Sequence, residues 1–444
     1  MNSNEIYVSL DIGTSSVKVI IGEMVNDSLN IIGVGNVKSE GLRKGSIVDI
    51  DETVHSIKRA IEQAERMIGM EIRQVVVGIT GNHVMLQPCH GVVAVSSQNR
   101  EITDDDVARV IDAAQVVSIP PEREIIGVIA KQFIVDGLDE INDPRGMIGV
   151  RLEMEGIIIT GSKTILHNTL RCVEKAGLDI LDITLQPLAA GAFALSKDEK
   201  NLGVALIDLG GGSTTLAVFE QGYLKATSVI PVGGDHITKD LSIGLRTSTE
   251  DAEKIKIKNG HAFYDDASEE VVFSVPIIGS DQHQQFNQLE ISDIIEARME
   301  EIFELIVNEM KRLGLSDLPG GYVLTGGIAN MQGVLELAQV ILQNRVRIAV
   351  PDYIGVREPQ YTTAVGLIKY AYKNARLPGG NAGSPPQVSE PIEKRMSKQQ
   401  QHHQQQQQQH HQQHHQQQPK VKPEKHPEEK MSSKVKKFLG YFFE

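Results

Sequence analysis

Two aspartates, each followed by a glycine-rich turn, are the residues of this sequence best suited to hold an anionic ligand. Asp11 opens the segment Asp-Ile-Gly-Thr-Ser-Ser, and Asp208 opens the segment Asp-Leu-Gly-Gly-Gly-Ser-Thr. A β-rich run precedes and follows each turn, which predicts strand, tight turn, strand. Backbone N–H groups in such turns can converge on an anion, and an aspartate beside them can hold a hydrated Mg²⁺. One such hairpin is a weak signal, but two indicate a nucleotide clamped between duplicated domains.

Three further segments could complete a nucleotide site. The pair Gly326-Gly327 follows a strand-like run, where a lack of side chains lets the backbone approach a ligand closely. Glu253 and Lys256 are one helical turn apart and could both face a ribose, although a surface ion pair is the default interpretation. Gln186 opens a turn into a small-residue helix, which is suited to close packing between domains.

Composition limits the class of protein. The chain has 444 residues, enough for two or more domains, and its formal net charge of -14 argues against a nucleic-acid binder. Only two cysteines occur, Cys89 and Cys172, so a disulfide framework is excluded and a reducing cytosol is expected. The start of the chain shows no signal peptide, and no run reaches the roughly 20 apolar residues that span a bilayer. We therefore expect a soluble body.

The elements that must position these residues alternate between strand and helix as far as about Arg376, which indicates α/β layering. The apolar spacing predicts a helix over 53–68 and a buried strand over 72–80. The segment 84–162 is predicted to be a separate insertion. Within it, Thr103 and the acidic triplet that follows are typical of a helix start, and we interpret the triplet as capping rather than as a metal site.

After Arg376 the composition changes abruptly. A linker rich in Pro, Gly and Ser leads into a Gln/His tract over 399–418, which cannot bury apolar surface and is expected to be disordered. We interpret this tract as a spacer, and its histidines are not read as a metal site.

The last residues have a different pattern. Apolar residues at i, i+3, i+4 and i+7 share one face of a short helix, with lysines on its flank, which favours an interfacial membrane anchor over a helix that docks in a protein groove. The residues expected at the membrane are Val435, Lys436, Lys437, Phe438, Leu439, Phe442 and Phe443. One copy should bind weakly and several copies tightly, so the anchor also hints at self-association.

The order of these motifs resembles the actin-like ATPase superfamily. Two phosphate loops, the helix at Gln186, the adenosine elements and a second small-residue helix at 362–366 appear in the same succession. Within that superfamily the chain resembles the FtsA family of bacterial cell-division proteins. That closer resemblance lies in the segments 41–49, 78–83 and 231–235 and in the terminal helix; it covers about residues 5–376 plus the tail.

The resemblance implies an α/β, actin-like duplicated ribonuclease-H-like fold, with two domains around a nucleotide cleft and an inserted α+β subdomain. The implied divisions are subdomain 1A at 1–83 and 163–200, subdomain 1C at 84–162, subdomain 2A at 201–234 and 321–376 with a return to 1A, subdomain 2B at 235–320, a disordered linker at 377–432 and an amphipathic membrane-targeting helix at 433–444.

The implied cofactors are ATP and Mg²⁺. Asp11 and Asp208 would lie on opposite sides of Mg²⁺ and act largely through water. Gln186 would orient the attacking water, and because glutamine is not a strong base, hydrolysis should be slow at most. The remaining implied ATP ligands are Gly13, Thr14, Ser15, Ser16 and Lys18 at the β-phosphate, Gly210, Gly211, Gly212, Ser213 and Thr214 at the outer phosphates, Glu253 and Lys256 at the ribose and base edge, and Gly326 and Gly327 at the adenosine.

The implied role is to polymerise and to tether filaments of the tubulin-like FtsZ to the cytoplasmic face of the membrane at the division septum. The implied partners are the FtsZ C-terminal peptide at 235–320, further copies of the chain, anionic lipids and other divisome proteins. Two alternatives share the superfold. An MreB-like or pilus-assembly homologue would lack the insertion at 84–162, and a sugar kinase would need an aspartate base that no segment supplies convincingly.

Overall fold

The first part of the chain builds a sheet from β-branched and apolar runs. The computed structural model describes residues 5–280, 282–315 and 317–376. Its first elements are β1 (Glu5–Ile12), β2 (Ser16–Val25), β3 (Ser28–Lys38), β4 (Leu42–Arg43), β5 (Ser46–Ile47), α1 (Ile50–Ile68) and β6 (Gln74–Ile79). The Asp49 side chain accepts a hydrogen bond from the Glu52 backbone and so starts α1 before Thr53. Helix α1 lies so close to β3 that a Cβ at Gly35 would overlap the Ala60 carbonyl oxygen.

An inserted unit follows β6 and has a core of its own. It consists of β7 (Met85–Ala94), α2 (Asp104–Ala114), β8 (Arg123–Val135), β9 (Leu138–Ile141) and β10 (Arg151–Ser162). The strands form an antiparallel sheet in the order β7-β10-β8-β9, and α2 packs on β7 and β10. Thr103 and Asp106 form a reciprocal capping box at the start of α2, which confirms that the acidic triplet opens a helix.

The chain then returns to the first sheet. The elements are α3 (Lys163–Lys175), β11 (Asp179–Leu185), α4 (Gln186–Ala194) and α5 (Lys197–Leu202). Strand β11 extends the first sheet to the order β11-β6-β1-β2-β3. In this sheet β1, β2 and β3 form an antiparallel meander, whereas β6 and β11 run parallel to β1.

The second part of the chain repeats this arrangement. Its elements are β12 (Val204–Leu209), β13 (Thr214–Glu220), β14 (Tyr223–Ile230), α6 (Gly234–Gly244), α7 (Thr249–Asn259), β15 (Val272–Pro276), β16 (His283–Asn287), α8 (Gln288–Leu313), β17 (Tyr322–Thr325), α9 (Val334–Leu342), β18 (Val346–Ile348) and α10 (Thr362–Asn374). The second five-stranded sheet has the order β14-β13-β12-β17-β18. Again three antiparallel strands pair with two parallel ones, so the two halves share one topology.

Helices α4 and α10 join the two halves. Helix α10 comes last in the described chain, yet it packs on β1, β2 and β6 of the first sheet as well as on α4. The crossing with α4 is so close that a Cβ at Gly366 would overlap the backbone of Ala189. The inserted unit also reaches the second half, because the Tyr223 hydroxyl donates to the Lys131 carbonyl oxygen at 2.5 Å.

The predicted duplicated α/β fold with an inserted α+β unit is confirmed. Within the described ranges, no helix has both the length and the apolar character needed to cross a bilayer. The linker and the amphipathic helix predicted over 377–444 lie outside the described residues.

Candidate functional site

The two glycine-rich turns have the same backbone geometry. The Gly13 N–H donates to the Ser16 carbonyl oxygen at 3.0 Å, and the Gly210 N–H donates to the Ser213 carbonyl oxygen at 3.2 Å. In each turn a Cβ on the glycine would come within 3.0 Å of that same carbonyl oxygen, which real side chains do not tolerate. The glycines are therefore required for the turn itself.

The turns face each other across the gap between the two sheets. A Cβ at Gly211 would overlap the Ser15 side chain, and one at Gly212 would overlap that of Thr14. The Ser15 hydroxyl also donates to the Asp235 carboxylate at 3.2 Å. The duplicated motif thus forms two walls of one site.

A cavity of about 450 Å³ lies between these walls, a size typical of small-molecule sites. Sixteen of the predicted ligand-site residues line it: Asp11, Gly13, Thr14, Ser15, Ser16, Lys18, Gln186, Asp208, Gly210, Gly211, Gly212, Ser213, Glu253, Lys256, Gly326 and Gly327. Thr214 is the exception. It is fully buried, and its hydroxyl donates to the Val232 carbonyl oxygen at 2.9 Å, so the structure does not bring it into the cavity.

Asp11 and Asp208 differ in how their charge is compensated. The Asp11 carboxylate accepts a hydrogen bond from Gln186 Nε2 at 2.7 Å and lies 3.7 Å from Lys18 Nζ. The Asp208 carboxylate accepts a bond from the Thr363 hydroxyl at 3.3 Å. Burial raises the pKa of both carboxyls, and the negative charge of Asp11 helps to raise the pKa of Asp208 to about 6. A cation beside both carboxylates would relieve this cost.

The two carboxylates alone do not complete the coordination shell of a cation. No cluster of three or more His, Cys, Asp and Glu side chains suited to a metal ion occurs in the described part of the chain. Magnesium is commonly held by one or two carboxylates, with water and phosphate oxygens completing its shell. The pair Asp11 and Asp208 therefore suits Mg²⁺ bound together with an anionic ligand.

Lys256 combines a position in the cavity wall with a structural role. Its ammonium lies 2.7 Å from the Glu253 carboxylate and donates to the Gly234 carbonyl oxygen at 3.1 Å and to the Thr238 hydroxyl at 2.8 Å. The Thr238 hydroxyl in turn donates to Glu253. This network fixes the start of α6 against α7. The predicted pair is thus more than a surface ion pair, and both residues still face the cavity.

The glycine pair at the end of β17 lies beside Asp208 because β17 pairs in parallel with β12. Asp208 is opposite Thr325 in that ladder. Gly326 has a φ of 91°, and a Cβ there would overlap the Asp208 carboxylate. A third chain segment, more than a hundred residues from the second turn, therefore closes the same corner of the cavity.

Several lining residues were not predicted from the sequence, among them Gly45, Asn82, Asp235, Glu358, Gln360 and Thr363. Gly45, Asn82, Asp235 and Thr363 lie in segments that carry the family resemblance, which marks these segments but does not indicate what each residue does in the site. Glu358 and Gln360 belong to a loop and a short 3-10 turn that carry no chemical pattern.

Comparison with known proteins gives matches over most of the chain. A family model described as cell division protein FtsA matches residues 205–366, and one described as an SHS2 domain inserted in FtsA matches residues 81–160. The cell division protein FtsA of Bacillus subtilis (strain 168) is 66% identical over 383 residues, which are 86% of this chain and 87% of the relative.

Two solved structures resemble the fold at low sequence identity. One is the PilM-PilN type IV pilus biogenesis complex, with a TM-score of 0.56, 15% identity and coverage of 81% of this chain and 97% of that one. The other is MreB5 of Spiroplasma citri bound to ADP, with a TM-score of 0.52, 16% identity and coverage of 83% and 99%. At such identities the likeness concerns the fold alone.

Proposed function

The chain belongs to the FtsA family of cell division proteins and has an actin-like fold, and we propose that it is an ATP-binding adaptor that polymerises and tethers FtsZ filaments to the cytoplasmic face of the membrane at the septum. The observation that carries the nucleotide part is the meeting of Asp11, Asp208 and both glycine turns around one cavity. The observation that carries the cell-division part is the identity of 66% to a named relative over most of both chains.

The cavity fits ATP and Mg²⁺ by the chemistry of its lining. The Gly13 and Gly210 N–H groups are used within their own turns, so the N–H groups proposed to meet phosphate oxygens are those that follow them, at Thr14, Gly211 and Gly212. Two buried carboxylates with raised pKa values offer a place for a hydrated cation. The solved MreB5 structure of the same fold contains ADP. In this proposal Asp11 and Asp208 hold Mg²⁺ largely through water, and Glu253, Lys256, Gly326 and Gly327 surround the nucleoside.

The position of Gln186 favours slow ATP hydrolysis, as in a switch, over fast catalysis. Its side-chain N–H is held by Asp11, which leaves the amide oxygen as the atom that can accept a hydrogen bond from water. An amide cannot take a proton from that water effectively. Bound Mg²⁺ would stabilise charge on the phosphates, and the chain itself would contribute little acid–base help. We therefore assign Gln186 to water positioning and expect hydrolysis to be slow.

The inserted unit favours the FtsA role over an MreB-like one. The sheet β7-β10-β8-β9 lies within the region matched by the SHS2 family model. We propose the subdomain divisions given above, with this unit as subdomain 1C and residues 235–320 as subdomain 2B.

Subdomain 2B offers an exposed apolar surface for the FtsZ peptide. Ile243 and Ile278 are each 68% exposed. They belong to neighbouring segments, because the Ile278 N–H donates to the carbonyl oxygen of exposed Arg246 at 2.9 Å. Two exposed apolar side chains, on segments that meet at the backbone of an exposed arginine, suit an extended peptide with apolar and acidic residues. We propose this surface, Ile243, Arg246 and Ile278, as part of the docking site.

Membrane attachment is assigned to the terminal residues 434–444, which lie outside the described residues. Their apolar and basic pattern suits a peripheral contact with anionic lipid. A single short helix binds weakly, and polymerisation would present many copies at once.

A vesicle sedimentation assay tests the proposed function. The full chain should carry FtsZ filaments into the pellet with vesicles that contain anionic lipid, whereas a chain lacking residues 434–444 should leave both proteins in the supernatant. An Ile243→Asp variant should sediment with vesicles but leave FtsZ behind, and an exposed valine of the inserted unit, changed as Val116→Asp, serves as its control. Equal sedimentation of FtsZ with and without residues 434–444 would contradict the proposal.

A further inference from the structure

A short hairpin reaches from the first sheet to the rim of the cavity. It consists of β4, the turn residues Lys44 and Gly45, and β5, and we call residues 42–47 the rim hairpin. Both turn residues have positive φ, 49° and 73°, as in the tight two-residue turns that join the strands of a β-hairpin. Gly45 lines the cavity, and a Cβ there would lie 4.0 Å from Ser213 Oγ of the second glycine turn.

The rim hairpin is anchored at its base. The Val48 and Asp49 N–H groups donate to the Gly41 carbonyl oxygen at 2.8 and 3.0 Å. Leu42 is buried in the core of the first half, with Ile47 packed against that core. The tip therefore projects from a fixed base.

The tip contacts the first glycine turn directly. The Gly45 N–H donates to Thr14 Oγ1 at 3.1 Å. A hydroxyl that accepts such a bond keeps its own proton for another acceptor. Gly45 thus orients the Thr14 hydroxyl, which lines the cavity, and can aim its proton at an anion bound there.

The rim hairpin also carries positive charge on two side chains that flank Gly45 outside the cavity lining. The lysines that line the cavity, Lys18 and Lys256, are each paired with a carboxylate. Arg43 and Lys44 are exposed and have no salt bridge within the described ranges. Arg43 is the cross-strand partner of Ser46, so both side chains lie on one face, and Ser46 accepts a bond from the cavity residue Asn82.

We propose that the rim hairpin recognises the terminal phosphate of ATP and selects ATP over ADP. This inference rests on the proposed ATP site. Gly45 is a positioning residue that acts through Thr14, and the cations of Arg43 and Lys44 offset the charge of the third phosphate. The hairpin touches the first glycine turn and approaches the second, so it stands where the two phosphate walls meet and where the outer end of the phosphate chain would lie.

Equilibrium binding of the Mg²⁺ complexes of AMPPNP and ADP to the full chain tests this inference. Arg43→Gln and Lys44→Gln should each weaken AMPPNP binding about threefold, and the double variant about tenfold, as expected for exposed charges. ADP binding should change by less than about twofold in all of them. Lys44→Arg should retain the preference for AMPPNP, and Lys58→Gln, which removes an exposed cation from α1, should behave as the wild type.

The outcomes separate this inference from the proposal on which it rests. A wild type that binds neither nucleotide would overturn the ATP site and the inference with it. The inference alone would be overturned if the wild type binds both nucleotides and the double variant has the same ratio of AMPPNP affinity to ADP affinity as the wild type. Melting temperatures without nucleotide should match the wild type in every variant, since the two side chains are exposed; a lowered value with equal loss of both nucleotides would assign them a structural role and reject phosphate selection.

Discussion

At the scale of single residues, Asp208 is the less compensated of the two carboxyls at the centre of the site. Asp11 has Lys18 and the Gln186 amide within contact distance, whereas Asp208 has the Thr363 hydroxyl and the charge of Asp11 nearby. Burial and that charge raise the pKa of Asp208 to about 6. This pair of carboxyls therefore carries a local electrostatic cost, which a bound cation would remove.

This cost gives a pH dependence of stability. A folded-state pKa raised from about 3.8 to about 6 contributes stability below pH 4 that is lost as the pH rises through 6. Asparagine does not ionise, so Asp208→Asn does not lose this stability as the pH rises. The melting temperature of the variant minus that of the wild type should therefore be higher at pH 8 than at pH 5. The measurement is thermal unfolding in EDTA without nucleotide.

The matched control for this experiment is Asp139→Asn, which changes an exposed aspartate on β9. Its melting temperature relative to the wild type should be the same at both pH values. An Asp208→Asn variant whose relative melting temperature is also equal at pH 5 and pH 8 would show that the carboxyl is not destabilised in the folded protein.

At the scale of elements, the crossing of α4 and α10 sets how the two halves meet. Helix α10 follows the second half in the chain but packs on α4 and on the first sheet. It therefore connects the second half to the first. Gly366 lets the two helix backbones approach, because a Cβ there would overlap the Ala189 carbonyl group. Helix α10 also reaches the cavity directly, because the Thr363 hydroxyl donates to the Asp208 carboxylate.

Gly366→Ala should therefore destabilise the protein by about 1–3 kcal/mol, since the overlapping atoms belong to backbone and cannot rotate away. Urea unfolding followed by circular dichroism measures the change. Gly127→Ala is the control, because a Cβ at Gly127 meets nothing within 4 Å. Equal midpoints for the two variants would mean that the helices have room to separate at no cost.

Local elements could be predicted from the sequence, because their signals are local. The two turns, the helix of 53–68 and the Thr103 cap each follow from spacing or from residue type over a few positions. Thr214 shows where such reasoning stops. Strand side chains alternate between faces, so Ser213 and Thr215 line the cavity while Thr214 between them is buried.

Contacts between distant segments could not be predicted from local patterns. The bond from Thr363 to Asp208 depends on how α10 crosses back onto the first half, and the bond from Ser15 to Asp235 joins the first turn to α6. The register of β12 with β17 likewise decides that Gly326 lies beside Asp208. These placements come from sheet pairing and helix packing. The family resemblance gives the order of the motifs along the chain but not these contacts.

At the scale of the whole molecule, an acidic chain is proposed to bind two anionic partners, a nucleotide and a lipid surface. Its net charge of -14 opposes both, so local groups must supply the attraction. In the proposed cleft these groups would be the backbone of the glycine turns and a bound cation. At the membrane they would be the lysines of the terminal segment, and assembly of many copies would strengthen their combined binding.

We propose that the two related halves clamp one Mg–nucleotide complex through Asp11 and Asp208. Calorimetric titration of the full chain with ATP, in the presence of Mg²⁺, tests it most directly, with Asp139→Ala as the control for Asp208→Ala. We expect one site per chain in the wild type and the control, and an affinity lower by about 100-fold in Asp208→Ala, the scale of losses seen when a group that supports a bound metal is removed. An Asp208→Ala protein that binds Mg–ATP as tightly as the wild type would contradict the claim.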